Sequence, residues 1–385
     1  MLSLTHSIIF LLLLCSCCAV NLSVTKQRIV DVWKKNEDGV NTYRIPVISY
    51  TPFNNYLIAL SEARRFSASD FGTKYIALKI SKDGGSTWGN NTFIYSTKAH
   101  CTLNVGAILV DDIYKTLHFY FTESIYNHNN VYSNYVMNST NDGLTWSSPR
   151  NISDQIGTVM FTPGPGHGLQ LKNIKKGRYL ICGHSTIQAD GLRCIYSDDF
   201  GRTYKNGIYL PGIPYGLTKR TGDFVPDENQ FIELEDGTIV FNVRNQAVYR
   251  GHFRLRIISR DCGESVDMKS IQLDETLITP VCNAGLIRIR DWTFFSNPAT
   301  QHSRTNLTLR WSNDNGFTWK GALVLHKNAA AYSSINYIPN ITYNNKLFVI
   351  FEGGKSDAYE KIKVAIVKYE ETTKLTMLIR KQYNI

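Results

Sequence analysis

SKDGGSTW (81–88), STNDGLTW (139–146), SDDFGRTY (197–204) and SNDNGFTW (312–319) follow one pattern, Ser-x-Asp-x-Gly-x-x-aromatic, with Asn141 in place of Asp in the second copy. Their first residues lie 58, 58 and 115 positions apart. The last interval is nearly two periods, so a fifth copy belongs near residue 255. SRDCGESV (259–266) supplies it, keeping Ser259, Asp261 and Gly263 and ending in Val266. Self-similarity at a fixed period marks a repeat architecture. Each copy follows a strand-like run, TKYIALKI before the first and LTLRW before the last. Short carboxylates, Gly and Ser/Thr are turn chemistry: the side chain bonds nearby N–H groups and Gly takes positive φ. Strand, built turn, strand describes a hairpin recurring once per unit. A calcium-loop reading is set aside, because the EF-hand needs more ligands and a closing Glu.

Between the copies, alternation such as GRYLICGH (177–184) and DGTIVFNVRNQ (236–246) dominates and helical periodicity is sparse. Removing an N-terminal leader leaves about 365 residues, slightly more than six units where length alone allows two domains. The expected fold is therefore all-β, a six-bladed propeller of four-stranded antiparallel sheets forming one domain over residues 21–385. Two β-sandwiches would not place one signature in both halves of the chain. With 43% hydrophobic and 19% charged residues, disorder, coiled coil and collagen are excluded. The net charge of +10 favours an anionic partner. It is spread along the chain without a Lys/Arg run, zinc spacing or RNA-binding signature, which argues against nucleic acid.

Residues 8–20, IIFLLLLCSCCAV, form an apolar stretch short for a bilayer span and suited to a signal-peptide core, with small residues Ser16–Ala19 offering cleavage. A retained anchor is the alternative. Beyond it no integral membrane span is expected. Five cysteines follow: Cys101, Cys182, Cys194, Cys262 and Cys282. An odd number leaves at least one unpaired within the chain. Cys182 and Cys194 flank the turn around Gln188–Gly191 symmetrically, which suits either a cross-strand disulfide or two buried thiols. Sequons at Asn21, Asn90, Asn138, Asn151, Asn306 and Asn340 point with the leader to the secretory route.

The repeated box is the Asp-box of sialidases, and Tyr43-Arg44-Ile45-Pro46 resembles their F/Y-R-I-P motif. The resemblance runs from about residue 28 to 370 and is nearest to the animal lysosomal sialidase. It is carried by SEARRFSASDFGTKYIALKISKDGGSTW, FTPGPGHG, CGHSTIQADG, GIPYG, DFVPDENQ, FSNPA and NLTLRWS. A single Asp-box is weak evidence; YRIP followed by boxes in register is strong.

The resemblance implies a retaining exo-α-sialidase that uses no cofactor or metal. A sialoside carries a carboxylate, and guanidinium groups hold carboxylates in bidentate fashion. By motif the three arginines are Arg44, Arg244 in FNVRNQ and Arg304 in SRTNLTL. The nucleophile maps to Tyr332 in AAYSS, with Glu228 in PDENQ accepting its proton. A neutral phenol avoids the repulsion a carboxylate nucleophile would meet at an anomeric carbon bearing its own carboxylate; sialidases are an exception among glycosidases in this. Asp70 in SASDFG matches the acid/base and Glu352 in VIFEGG the counter-charge to Arg44. Arg64 in SEAR matches a further arginine at the substrate rim, and Tyr215 in GIPYG is a candidate for the glycerol chain, with packing as the alternative. The glycine-rich TPGPGHG (162–168) is followed by no helix signal and reads as a tight loop near the site; His167 in it is given no catalytic role.

Expected substrates are sialylated glycoproteins, oligosaccharides and gangliosides. The resemblance also implies association with a serine carboxypeptidase protective protein and a lysosomal destination, with secretion or the cell surface as the alternative. The lysosomal enzyme ends in a tyrosine-based signal with a bulky apolar residue three positions on; here QYNI leaves two residues after Tyr383. Rival readings are a trans-sialidase, needing an aromatic rim for the acceptor, and an inactive sialoside-binding propeller, which would have no use for Asp70, Glu228 and Tyr332.

Overall fold

The computed structural model describes residues 21–98, 100–125, 132–157, 161–185, 191–212, 224–246, 252–343 and 345–372. The leader, Tyr215 and the QYNI end lie outside them. Strands dominate; helical structure among these residues is confined to single turns at Ser153–Ile156, Ile341–Tyr343 and Ala358–Glu360. Among the described residues, no helix is long and apolar enough to cross a membrane.

Four sheets follow the chain in hairpin order. The first holds Thr42–Tyr50, Leu57–Arg64, Lys74–Ser81 and Thr92–Ser96. The second holds Cys101–Asp111, Thr116–Ile125, Tyr132–Ser139 and Arg150–Asn151, with Gly166–His167 added in parallel to Cys101–Asp111. The third is built on Tyr179–His184, Gly191–Ser197 and Lys205–Pro211. The fourth comprises Pro226–Glu233, Ile239–Asn245, Phe253–Ser259 and Asp267–Ile278. The fifth has seven strands. Its long strand Gly321–Asn336 pairs with Thr305–Ser312 through its first half and with Lys346–Gly353 through its second. It therefore divides into two four-stranded halves sharing one strand. The outermost strand of the second half is Asn21–Lys34, paired with Lys361–Thr372 from Asn21–Thr372 to Lys34–Lys361.

First strands of successive sheets touch in sequence: Thr42–Tyr50, Cys101–Asp111, Tyr179–His184, Pro226–Glu233, Gly285–Ile289 and the second half of Gly321–Asn336, which returns to Thr42–Tyr50. Apolar side chains fill the spaces between sheets. Ile58, Leu60, Ile76 and Leu78 of the first meet Leu103, Leu117, Phe119 and Phe121 of the second, all but inaccessible. Burial of each contributes about 1.5–3 kcal/mol.

The five boxes fold identically. Each opens on the last residue of a third strand, and its Ser hydroxyl accepts the Gly N–H four residues on at 2.8–3.0 Å, as with Ser81–Gly85 and Ser259–Gly263. The Asp carboxylate takes the N–H and hydroxyl of the residue four on, Thr87, Thr203, Ser265 or Thr318. Asn141 preserves the arrangement by accepting the Thr145 N–H and donating its amide to the Thr145 hydroxyl. Two successive residues adopt positive φ, for example Phe200 at 59° and Gly201 at 80°, and glycine stands second in every copy because it bears that conformation without a Cβ clash. The half of the fifth sheet that ends in Asn21–Lys34 has no box, because its outer strands Lys361–Thr372 and Asn21–Lys34 do not follow one another in the chain.

Of the two readings of Cys182 and Cys194, the disulfide is the one present; they face each other on adjacent strands. Cys101, Cys262 and Cys282 are free thiols.

Candidate active site

Four of the six innermost strands break register with their neighbours. The breaks fall between Arg44 and Val47, between Val105 and Ile108, between Pro226 and Asn229, and between Ala330 and Ser333. A bulge re-aims side chains that a regular strand would bury in its own sheet. In YRIP, Ile45 has φ 56°, and Pro46, lacking an N–H, suits a position with no ladder bond to make. The bulged residues include Glu228 and Tyr332.

They surround a cavity of about 430 Å³ lined by Arg44, Arg64, Asp70, Glu228, Arg244, Arg304 and Tyr332, with Asp227, His184 and Tyr359 beside them. Every proposed site residue within the described ranges lines it except Glu352, which lies directly behind. Glu352 is wholly buried. Its carboxylate accepts Arg44 Nε at 2.8 Å and Nη2 at 3.3 Å, the Ile45 N–H at 2.9 Å and the Tyr332 N–H at 3.1 Å. One carboxylate thus fixes both an arginine and the backbone carrying Tyr332.

The Tyr332 hydroxyl donates to Glu228 Oε1 at 2.5 Å and accepts from Arg244 Nη1 at 2.9 Å, which also donates to Glu228 Oε2 at 2.6 Å. Burial, reinforced by Glu228, pushes the phenol well above its ordinary range, so it rests neutral. Burial opposes charge on Glu228 most strongly, but Arg244, His184 and the Tyr332 hydrogen bond together outweigh it and hold the carboxyl below the usual range. Arg304 donates to the Tyr359 hydroxyl at 3.1 Å and, among the described residues, has no carboxylate partner. Arg44 stacks 4.0 Å over the Tyr359 ring.

Asp70 lies across the cavity on an exposed loop, its side chain 69% accessible, 2.7 Å from Arg64 Nη2 and 3.8 Å from Arg44 Nη1. Burial of the carboxyl raises its pKa, yet Arg64, Arg44 and Lys74 together bring it below the usual range.

Sequence reasoning missed Tyr359, His184, Asp227, Glu62 and Lys74. Asp227 is buried with Oδ2 3.4 Å from Arg244 Nε and Oδ1 3.5 Å from His184 Nδ1; burial raises its carboxyl pKa. The alternation of TKYIALKI does contain a signal, since Lys74 shares a face with Ile76 and Leu78. TPGPGHG differs from expectation in part. Thr162 and Pro165 form the floor of the cavity, but His167 faces a second cavity of about 750 Å³, lined by Ile108, Phe231 and Ile289 at the other end of the inner strands. Burial pulls its imidazole down to about 4. The segment crosses between the two cavities at Gly166, where a Cβ would lie 2.1 Å from the Gln230 amide nitrogen.

Residues 62–343 match the model of the BNR repeat-like domain. The chain belongs to that family. A sialidase of Micromonospora viridifaciens is 29% identical over 375 residues, covering 87% of this chain and 53% of that protein. This BNR-repeat chain therefore spans about half the length of that relative. Among solved structures, the Hadza microbial sialidase Hz136 superimposes with a TM-score of 0.74 at 23% identity, covering 89% of this chain and 68% of that one. A leech intramolecular trans-sialidase complexed with 2,7-anhydro-Neu5Ac gives 0.68 at 15% identity, covering 90% and 70%. Likeness at these identities speaks for the fold.

Proposed function

We propose that this BNR-repeat protein is a retaining exo-α-sialidase built as one six-bladed propeller. The observation that carries the reading is the Tyr332–Glu228 pair set in a cavity with three arginines from different sheets, one of them without a carboxylate partner among the described residues. The propeller reading is supported by the cycle of touching inner strands and the terminal strand pairing. Arg44, Arg244 and Arg304 hold the substrate carboxylate. Tyr332 attacks the anomeric carbon as its proton passes to Glu228, and Asp70 protonates the departing glycosidic oxygen. The sialyl-Tyr332 bond then breaks when a water, deprotonated by Asp70, attacks the same carbon, and Tyr332 recovers its proton from Glu228. Two displacements retain the configuration. Asp70 is a poor acid while Arg64, Arg44 and Lys74 hold its pKa down; a substrate carboxylate paired with Arg44 offsets part of that charge and the bound glycan excludes water, raising the Asp70 pKa towards its task.

Sialylated glycoproteins, oligosaccharides and gangliosides are the proposed substrates, and the lysosome, with a carboxypeptidase partner, the proposed setting. Exposure of the sequon residues Asn21, Asn90 and Asn151 supports a secretory route. Closer kinship with the animal lysosomal enzyme rests on the quoted sequence stretches. Transfer to a sugar acceptor is the second reading, favoured by Phe71, 50% exposed at the cavity rim beside Asp70. Release of sialic acid from a fluorogenic aryl α-sialoside between about pH 4 and 7 tests the reading, with Tyr332→Phe as control and lactose as trial acceptor. NMR should show the α-anomer released first. An absence of turnover at every pH sinks the enzyme reading.

A further inference from the structure

Lys74 is a lysine with 1% accessibility, behind the Glu62 that lines the site. Such burial is tolerated only with partners. Its ammonium donates to the Leu103 carbonyl of the second sheet at 2.7 Å and lies 2.9 Å from Glu62 Oε2. The same Glu62 oxygen accepts Arg64 Nε at 2.9 Å, and Oε1 accepts the Val105 N–H at 3.1 Å. Arg64 in turn reaches forward into the loop, donating Nη1 to the Ala68 carbonyl at 2.5 Å and meeting Asp70 through Nη2 at 2.7 Å. The Thr102 hydroxyl closes the other side on the Asp70 carbonyl at 3.1 Å.

We propose that Lys74 is a positioning residue for the leaving-group proton transfer, acting through Glu62 and Arg64 to fix the Asp70 carboxyl over the glycosidic oxygen. The inference rests on the sialidase reading and deepens it. Asp70 is the most accessible of the catalytic groups and sits on a loop without ladder bonds of its own. Its carboxyl is held by arginines, and the nearer of these, Arg64, is held by Glu62. Without Lys74, Glu62 would retain one cation for a fully buried carboxylate and would keep only the Val105 N–H of its two ties to the second sheet. The charged groups facing the ammonium are Glu62, Arg64 and Asp70. Burial and Arg64 pull the lysine down to about 8 against the opposing pull of Glu62, so the ammonium is intact throughout the acidic range.

The test compares leaving groups. An aryl α-sialoside departs with little help, whereas the lactose of sialyllactose needs a proton. Lys74→Met should lower kcat on sialyllactose by about 100-fold, within the range of general-acid effects, and kcat on the aryl sialoside by less than about fivefold. KM for both should change little, since the arginine triad is untouched. Glu62→Gln, which interrupts the same chain at its middle, should reproduce the selectivity, and it serves if Lys74→Met fails to fold by circular dichroism. Equal losses on both substrates, or no loss, would overturn the proposal. If the unmutated protein releases sialic acid from neither substrate, the sialidase reading itself falls.

Discussion

Replacing Glu352 by Gln keeps the shape of a wholly buried side chain and deletes its charge. Four donors point at the carboxylate: Arg44 Nε and Nη2, and the Ile45 and Tyr332 N–H groups. An amide offers one oxygen to them and turns an NH2 group towards the rest, leaving about two donors unmet at about 1–3 kcal/mol each. Breaking a buried ion pair from one side costs about 3–5 kcal/mol, and the two routes agree on about 4 kcal/mol. Urea unfolding followed by tryptophan fluorescence measures this. Because Arg44 and the Tyr332 backbone lose their common anchor, kcat/KM on the aryl sialoside should fall about 100-fold, equivalent to about 2.7 kcal/mol. Adding Arg44→Met removes the stranded guanidinium and frees the remaining amide oxygen at position 352 to serve the backbone. About half of the lost stability should return while activity stays lost. A Glu352→Gln protein within about 1 kcal/mol of its parent, with activity reduced less than threefold, would refute the reasoning that one carboxylate organises both groups.

Tyr332→Phe should lower kcat by more than about 10³-fold, and mass spectrometry of a quenched reaction with a fluorinated sialoside should lose the adduct on this residue. With sialyllactose, kcat/KM should climb as pH falls into the carboxylate range, because the cations around Asp70 depress its pKa and it must be protonated to act; a profile flat from about pH 4 to 7 would contradict its assignment. Asp83→Asn should cost under about 1 kcal/mol, as Asn141 makes the same bonds, whereas Asp83→Ala should cost about 1–3 kcal/mol. Hydrogen bonds from Thr87, Ser81 and Ser86 overcome burial and lower the Asp83 pKa, so its contribution is complete above the unfolded value near 4 and fades as pH drops through the folded one; the Asn variant should show less acid sensitivity in thermal melts. Cys182→Ala with Cys194→Ala opens a link of sequence separation 12 and should destabilise by about 3 kcal/mol by loop entropy, read from urea midpoints with and without reductant.

The repeat was legible because each box is a local device: Ser, Asp and Gly at fixed offsets satisfy one another within eight residues. The Glu352–Arg44 pair spans 308 residues, and only its likeness to a known motif made it readable. Tyr359 had no such guide, since its neighbours Asp357 and Glu360 speak only of a capped turn. Lys74 stood in plain alternation on an apolar face, but a charged residue there reads as an edge until the facing Glu62 is known. Bulges are similarly silent. YRIP hints at one through its proline, while the breaks at Asp227–Glu228 and Ala331–Tyr332 carry no residue that demands them.

The pairing of Asn21–Lys34 with Lys361–Thr372 has a temporal consequence. During synthesis Asn21–Lys34 leaves the ribosome long before Lys361–Thr372, the strand it pairs with. Tyr332 and Glu352 lie in the sheet this strand completes. The sheet that holds Tyr332 and Glu352 therefore gains its outermost strand only after Lys361–Thr372 has been made, however early Asn21–Lys34 was synthesised.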